Sequence, residues 1–141
     1  ITGDEGQADT DSGTATCKND ESLARLNGLS RSNILAPFDF GPRILLLTPH
    51  SVLATSHHRN DKAMADQIRV FTSDLDVARQ ILEAHNIRYI VACDGEAELE
   101  FYARKHPEGL WAKLVKGEKP DWLQPVQIWD SDLIIWSVTS K

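Results

Sequence analysis

The sequence predicts an α/β fold: a small sandwich with a mostly parallel sheet, helices on its faces and a C-terminal β-hairpin at the edge. Three observations predict it. Short apolar, β-branched runs alternate with segments of helical period from residue 19 onward, the pattern of a parallel sheet with crossover helices. The run Arg88 to Cys93 (RYIVAC) is nearly continuous in apolar residues rather than alternating, as a strand buried on both faces requires. Finally, Leu123 to Trp129 and Leu133 to Val138 flank Asp130-Ser131-Asp132, which reads as a hairpin with a tight polar turn.

Residues 1–18 read as an acidic tether. They are mostly Gly, Asp, Thr, Ser and Ala without apolar periodicity, and such a stretch buries too little surface to offset its ordering entropy. A single α/β domain over 19–141 follows. Leu23, Leu26 and Leu29 lie at helical spacing behind Asn19 or Asp20 as cap. Ile34 to Phe38 is a short strand, and Gly41-Pro42 opens a helix, since proline at the first turn has no amide hydrogen to lose. Arg43 to Thr48 (RILLLT) is then a short, deeply buried helix ended by Pro49, with a strand as the competing assignment; Ser51 to Thr55 is the second strand.

Asp61 to Phe71 presents Ala63, Met64, Gln67, Ile68 and Phe71 on one helical face. Ser73, with Asp76 three residues on, caps a helix whose stripe is Leu75, Ala78, Ile81 and Leu82. Glu96 to Lys105 is acidic at its start and basic at its end, as the helix dipole favours, and Glu96, Glu98 and Glu100 read as a solvated face. Leu110, Trp111, Leu114 and Val115 make a last short helix closed by Gly117.

Charge narrows the class. The net charge is −6, and the first 21 residues hold six carboxylates against Lys18, so Ser22 to Lys141 stands one unit from neutral. Nucleic acid as a partner is excluded, because phosphate binding needs a concentrated basic surface. The longest apolar run is the five residues Tyr89 to Cys93, far below the roughly 20 of a membrane helix. The chain opens on Ile1 and its only methionine is Met64, which points to a piece of a longer protein.

Motifs of nucleotide binding and hydrolysis are lacking: no G-x-G-x-x-G after a strand, no phosphate-binding G-x-x-x-x-G-K-[ST], no C-x-x-C and no G-x-S-x-G. No catalytic residue, metal or cofactor is therefore assigned. The conspicuous polar cluster is His50, His57, His58, Arg59 and Asn60 around one predicted strand. His57 and His58 with a carboxylate are one route to zinc, and one imidazole is a route to acid-base chemistry; the bland alternative is a polar loop with a histidine bonded to a main-chain carbonyl. Position decides which residues to watch, because ligands of open α/β sheets bind beyond the carboxyl ends of the strands. Asp39, His58, Arg59, Asn60 and Asp94 fall there and form the candidate ligand-binding set. Arg59 suits an anionic group, since its planar fork clamps two oxygens; a salt bridge to Asp39 or Asp94 is the rival account. Trp111, Trp122, Trp129 and Trp136 read as core and hairpin packing, with an aromatic surface for sugar or lipid headgroups as the alternative. Cys17 and Cys93 are either a bridge pinning the first helix to the sheet or two unrelated thiols.

The run Leu35-Ala36-Pro37-Phe38-Asp39-Phe40-Gly41-Pro42, then Ile44-Leu45, Thr48, His50, Val52, Ala54 and His58-Arg59-Asn60, resembles soluble C-terminal domains of polytopic bacterial inner-membrane proteins similar to GT-C class glycosyltransferases. Tyr89 to Cys93, Pro107 to Leu110, Leu114, Gly117, Pro120 and Trp122-Leu123 extend the likeness over nearly everything after Cys17. The resemblance implies a periplasmic domain following the last membrane helix, with the transmembrane part of the parent and a lipid-linked sugar as partners. In that compartment a Cys17–Cys93 disulfide persists. Two departures matter: His57 stands where the pattern has an aromatic residue before His-Arg, and the early loop holding the GT-C catalytic acid is not in this sequence. The implied role is non-catalytic, assisting substrate contact or packing on the membrane part. The alternative is a stand-alone soluble interaction or small-ligand-binding α/β domain with free thiols.

Overall fold

The computed structural model describes residue 17 and residues 19–54, 61–128 and 131–139. In chain order its elements are helix α1 (Asp20–Ala24) with a 3-10 turn (Arg25–Gly28), strand β1 (Asn33–Leu35), a 3-10 turn (Phe38–Phe40), α2 (Gly41–Leu47), β2 (Ser51–Val52), α3 (Asp61–Thr72), α4 (Leu75–Ala84), β3 (Ile87–Ala92), α5 (Ala97–Lys105), α6 (Leu110–Val115), β4 (Leu123–Val126) and β5 (Ile134–Val138). The five strands form one sheet in the order β2-β1-β3-β5-β4. β1 is parallel to both β2 and β3, while β5 lies antiparallel between β3 and β4. The predicted α/β class, its parallel portion and the hairpin at the edge are all present.

β3 is the spine, and its side chains alternate between two cores. Ile90 and Ala92 join Leu35, Phe71, Leu82, Leu99, Leu110 and Leu123 on one face. Tyr89, Val91 and Cys93 join Ile34, Leu23, Leu26, Phe40 and Ile44 on the other. The period of two along the strand places successive residues on opposite faces, and both faces are covered, so the strand reads as a continuous apolar run. α3 to α6 cover the first face; α1 and α2 cover the second. On the first face Phe71 stacks on Tyr102 at 5.7 Å between ring centres and meets Trp111 edge-on at 6.2 Å, and Trp122 and Trp136 pack at its margin. Trp129 lies outside the described residues.

Caps explain where several helices begin. Asn19 accepts the Ser22 amide at 2.8 Å and opens α1. Asp74, not Ser73, caps α4, accepting the Val77 amide at 3.0 Å; both residues suit the role, and the tie is broken by the turn in which Leu110 donates to the Ser73 carbonyl. That turn also makes Gly109 indispensable. A β-carbon there would lie 2.7 Å from the Thr72 carbonyl carbon and oxygen. Gly109→Ala is expected to cost about 2 kcal/mol, as for a core clash that shifts backbone, measured as a lower urea midpoint; an unchanged midpoint would show that α6 can lift off α3 freely.

Several boundaries differ from expectation. RILLLT is helical, but it is not deeply buried: Leu45 is 50% and Leu46 81% exposed, because a helix on one face of a sheet has only one side to hide. The strand after Pro49 is only Ser51–Val52, shorter than expected. The hairpin turn is longer than three residues, since the last paired residues are Val126 and Ile135. The proposed tether, residues 1–16 and 18, lies outside the described residues, as do His57, His58, Arg59 and Asn60.

Candidate functional site

The β1–β2 connection crosses the sheet over one face, and the β2–β3 connection returns past β1 over the other. β1 and β3 are therefore neighbours whose outgoing loops leave to opposite faces, the topological switch point where α/β sheets open a crevice. Asp39, in the turn after β1, and Asp94, after β3, both sit exposed at these carboxyl ends. The topology brings these two members of the candidate set to one sheet end. For His58, Arg59 and Asn60 the expectation lies outside the described residues.

The loop after β1 is tied to α5 by a carboxylate expected on a solvated helix face. One oxygen of Glu98 accepts the Phe38 amide at 2.9 Å, across the gap from α5 to the β1 loop. Its other oxygen accepts the Tyr102 hydroxyl at 2.8 Å. Glu96 caps α5 through the Glu98 amide at 2.8 Å and is itself buried. Of Glu96, Glu98 and Glu100 only Glu100 is exposed. The error has a physical source: a 3.6-residue period with charges at every second position fixes no face, and the packing of α5 decides which charge turns inward.

Burial pushes the Glu98 carboxyl above its ordinary range, opposed by its two hydrogen bonds and assisted by the nearby charges of Glu96 and Asp39. Burial and the adjacent Glu98 charge push the Tyr102 hydroxyl up as well, so it stays a donor throughout the ordinary pH range. The folded state thus favours protonated Glu98: its contribution to stability is greatest below the unfolded value near 4.5 and is lost as pH rises through the higher folded value. Glu98→Gln is expected to abolish the gain in stability on acidifying from neutrality towards pH 4.5, read from urea midpoints across that interval. An identical pH profile in the variant would remove Glu98 from the account.

A groove of about 340 Å³ opens beside this clasp, between the end of β3, α5 and α6. Leu99, Ala103, Trp111 and Val115 form its apolar lining, with Asp94, Glu100 and Arg104 contributing charge. At one end is Cys93, whose partner is Cys17: the two are disulfide-bonded, with Cα atoms 6.0 Å apart, a normal span for the bond. Of the two accounts of the cysteines, the bridge is the one realised.

His50, the first histidine of the polar cluster, is structural. It is 2% exposed; its Nδ1 accepts the Ser32 amide at 3.2 Å, and Nε2 donates to the Leu26 carbonyl at 2.7 Å. The backbone N–H on one nitrogen assigns the proton to the other. A second buried polar group, Asp66, was not singled out from sequence. His85 Nε2 lies 2.8 Å from its carboxylate, with Lys62 and Arg69 at 3.2 and 3.5 Å. The hydrogen bond from His85 holds the Asp66 carboxyl below its usual range. Such a depressed value contributes stability that is present above the unfolded value of 3.8 and lost as pH falls through the lower folded one. Asp66→Asn should flatten the acid limb of the stability profile below pH 3.8; a limb of unchanged steepness would mean that other carboxylates govern acid unfolding.

Among the described residues no cluster of three or more His, Cys, Asp or Glu side chains is arranged to hold a metal ion. Among the described residues, likewise, no helix is long and apolar enough to cross a membrane. Both oxygens of Glu98 are engaged by the protein, so the clasp organises the sheet end rather than offering a free base.

No family model matches the chain, and no curated protein matches it. Among solved structures it is similar to the C-terminal globular domain of oligosaccharyltransferase from Archaeoglobus fulgidus, with a TM-score of 0.61 at 14% identity. The likeness covers 84% of this chain and 95% of that one. At such identity the likeness is one of fold.

Proposed function

We propose that this chain is a non-catalytic, extracytoplasmic domain of a membrane-embedded glycosyltransferase-like protein. The fold likeness to an oligosaccharyltransferase domain, spanning nearly all of both chains, is the observation that carries it. The Cys17–Cys93 disulfide supports an oxidising compartment, the periplasm of a bacterial inner membrane in this reading. It also weighs against the stand-alone intracellular alternative, which predicts free thiols. The transmembrane part of the parent is the partner of this domain.

Asp39, His58, Arg59, Asn60 and Asp94 form the contact set for a lipid-linked sugar or for the membrane part. The exposed placement of Asp39 and Asp94 at the switch point supports this assignment. Arg59 carries the anionic contact, since a guanidinium grips two oxygens of a phosphate. In the full-length parent, Arg59→Ala is expected to weaken sugar transfer or lipid-linked sugar binding about tenfold, the loss of about 1.4 kcal/mol. Unchanged transfer together with unchanged binding would remove the role.

A further inference from the structure

The chain as a whole is acidic, yet residues 101–119 carry Arg104, Lys105, Lys113, Lys116 and Lys119 against only Glu108 and Glu118. The fold gathers this surplus at the ends of α5 and α6 around exposed apolar side chains. Phe101 is 46% and Val115 66% exposed. The Arg104 guanidinium lies 5.7 Å and the Lys105 ammonium 5.9 Å from the centre of the Phe101 ring. Arg104 and Val115 share the lining of the groove at the end of β3. Lys116 reaches the Pro107 carbonyl at 3.4 Å, which joins the end of α6 to the loop after α5. Phe101, Arg104 and Lys105 thus form one exposed cluster on α5, which meets exposed Val115, with Lys116 next to it in the chain, across a groove that also holds Asp94 and Glu100.

We propose that this face docks on the surface of an anionic lipid bilayer. A polyanion such as nucleic acid would use only the cations and leave Phe101 and Val115 in water. A bilayer uses both halves: Phe101 and Val115 enter the apolar boundary while Arg104, Lys105 and Lys116 keep their charged heads among the headgroups, as long basic side chains do at such interfaces. The other exposed apolar pair, Leu45 and Leu46, has no comparable support, because nearby Arg43 is engaged by Asp20 at 3.1 Å. The inference does not rest on the glycosyltransferase reading, and its test uses this chain alone.

The measurement is co-sedimentation of the 141-residue chain with vesicles of equimolar phosphatidylglycerol and phosphatidylcholine, against vesicles of phosphatidylcholine only. Binding is expected to the anionic vesicles alone. It should fall as salt rises from about 0.1 to about 1 M, which shortens the screening length from roughly 10 to roughly 3 Å. Each cation near such a surface contributes about a fivefold factor, so Arg104→Glu with Lys105→Glu should lower binding more than tenfold. Phe101→Ser should lower it severalfold, and Arg31→Glu, an exposed cation elsewhere, should not. All four substitutions fall on exposed side chains, and unchanged urea midpoints would verify the fold. Absence of binding to anionic vesicles, equal binding to both kinds, or binding indifferent to the double reversal would overturn the proposal. So would a concentration-dependent dimer abolished by Phe101→Ser, which would assign the face to a second copy.

Discussion

Alanine in place of Cys17 is expected to lower the unfolding free energy by about 4 kcal/mol, the largest single-residue effect in this protein. The bridge spans a sequence separation of 76 residues; the chain-entropy model gives roughly 3 kcal/mol for a 15-residue loop and roughly 4.7 for 100. Its position raises the stakes. Cys93 directly follows the central strand and Cys17 precedes α1, so the bond ties the α1 side of the second core to the sheet. Both half-cystines are buried with Leu23, Leu26, Phe40 and Tyr89. The check is urea unfolding of wild type and Cys17→Ala, each with and without reductant. The oxidised wild type should have the highest midpoint, and reductant should bring it to the level of the variant. Coincident curves for all four samples would mean that the bond is not constraining the unfolded chain.

His50→Ala is expected to cost about 3 kcal/mol, because truncating a ring that is 2% exposed leaves a cavity, strips the Ser32 amide of its acceptor and removes one of two donors to the Leu26 carbonyl. The Ser32 amide donates to the ring, and the Leu26 carbonyl accepts from the ring as well as from the Leu29 amide; a donor left unsatisfied costs about 1–3 kcal/mol. The effect should be local as well as global. β2 has only two residues and sits at the sheet edge, and its link to β1 includes the Ser51 amide bonded to the Ser32 carbonyl at 3.0 Å. Amide exchange at Ser51 and Leu53 should therefore accelerate more than at Ile90 or Val91. His106→Ala, at an exposed histidine, should stay within about 0.5 kcal/mol. A loss at His50 no larger than that would return this residue to the list of free polar side chains.

The two experiments also separate levels of the functional reading. The disulfide result bears on compartment, the His50 result on whether part of the histidine-rich cluster belongs to the framework. Neither depends on Arg59, whose role rests on transfer or binding in the parent.

The sequence by itself determined the class of the fold, the helical segments and the central strand. Residues such as Ile90, Val91 and Leu82 declare their burial through period alone, and a doubly buried strand needs no alternation. It also placed Asp39 and Asp94 at strand ends, since that follows from element order. Only the tertiary structure decided which polar groups turn inward. Glu98 and His50 differ from Glu100 and His106 not in residue type but in the distant backbone they meet: the Phe38 amide lies 60 residues from Glu98, and the Leu26 carbonyl 24 from His50. A local pattern records the average polarity of a face, whereas the partner of a buried hydrogen bond is set by how separate elements come together.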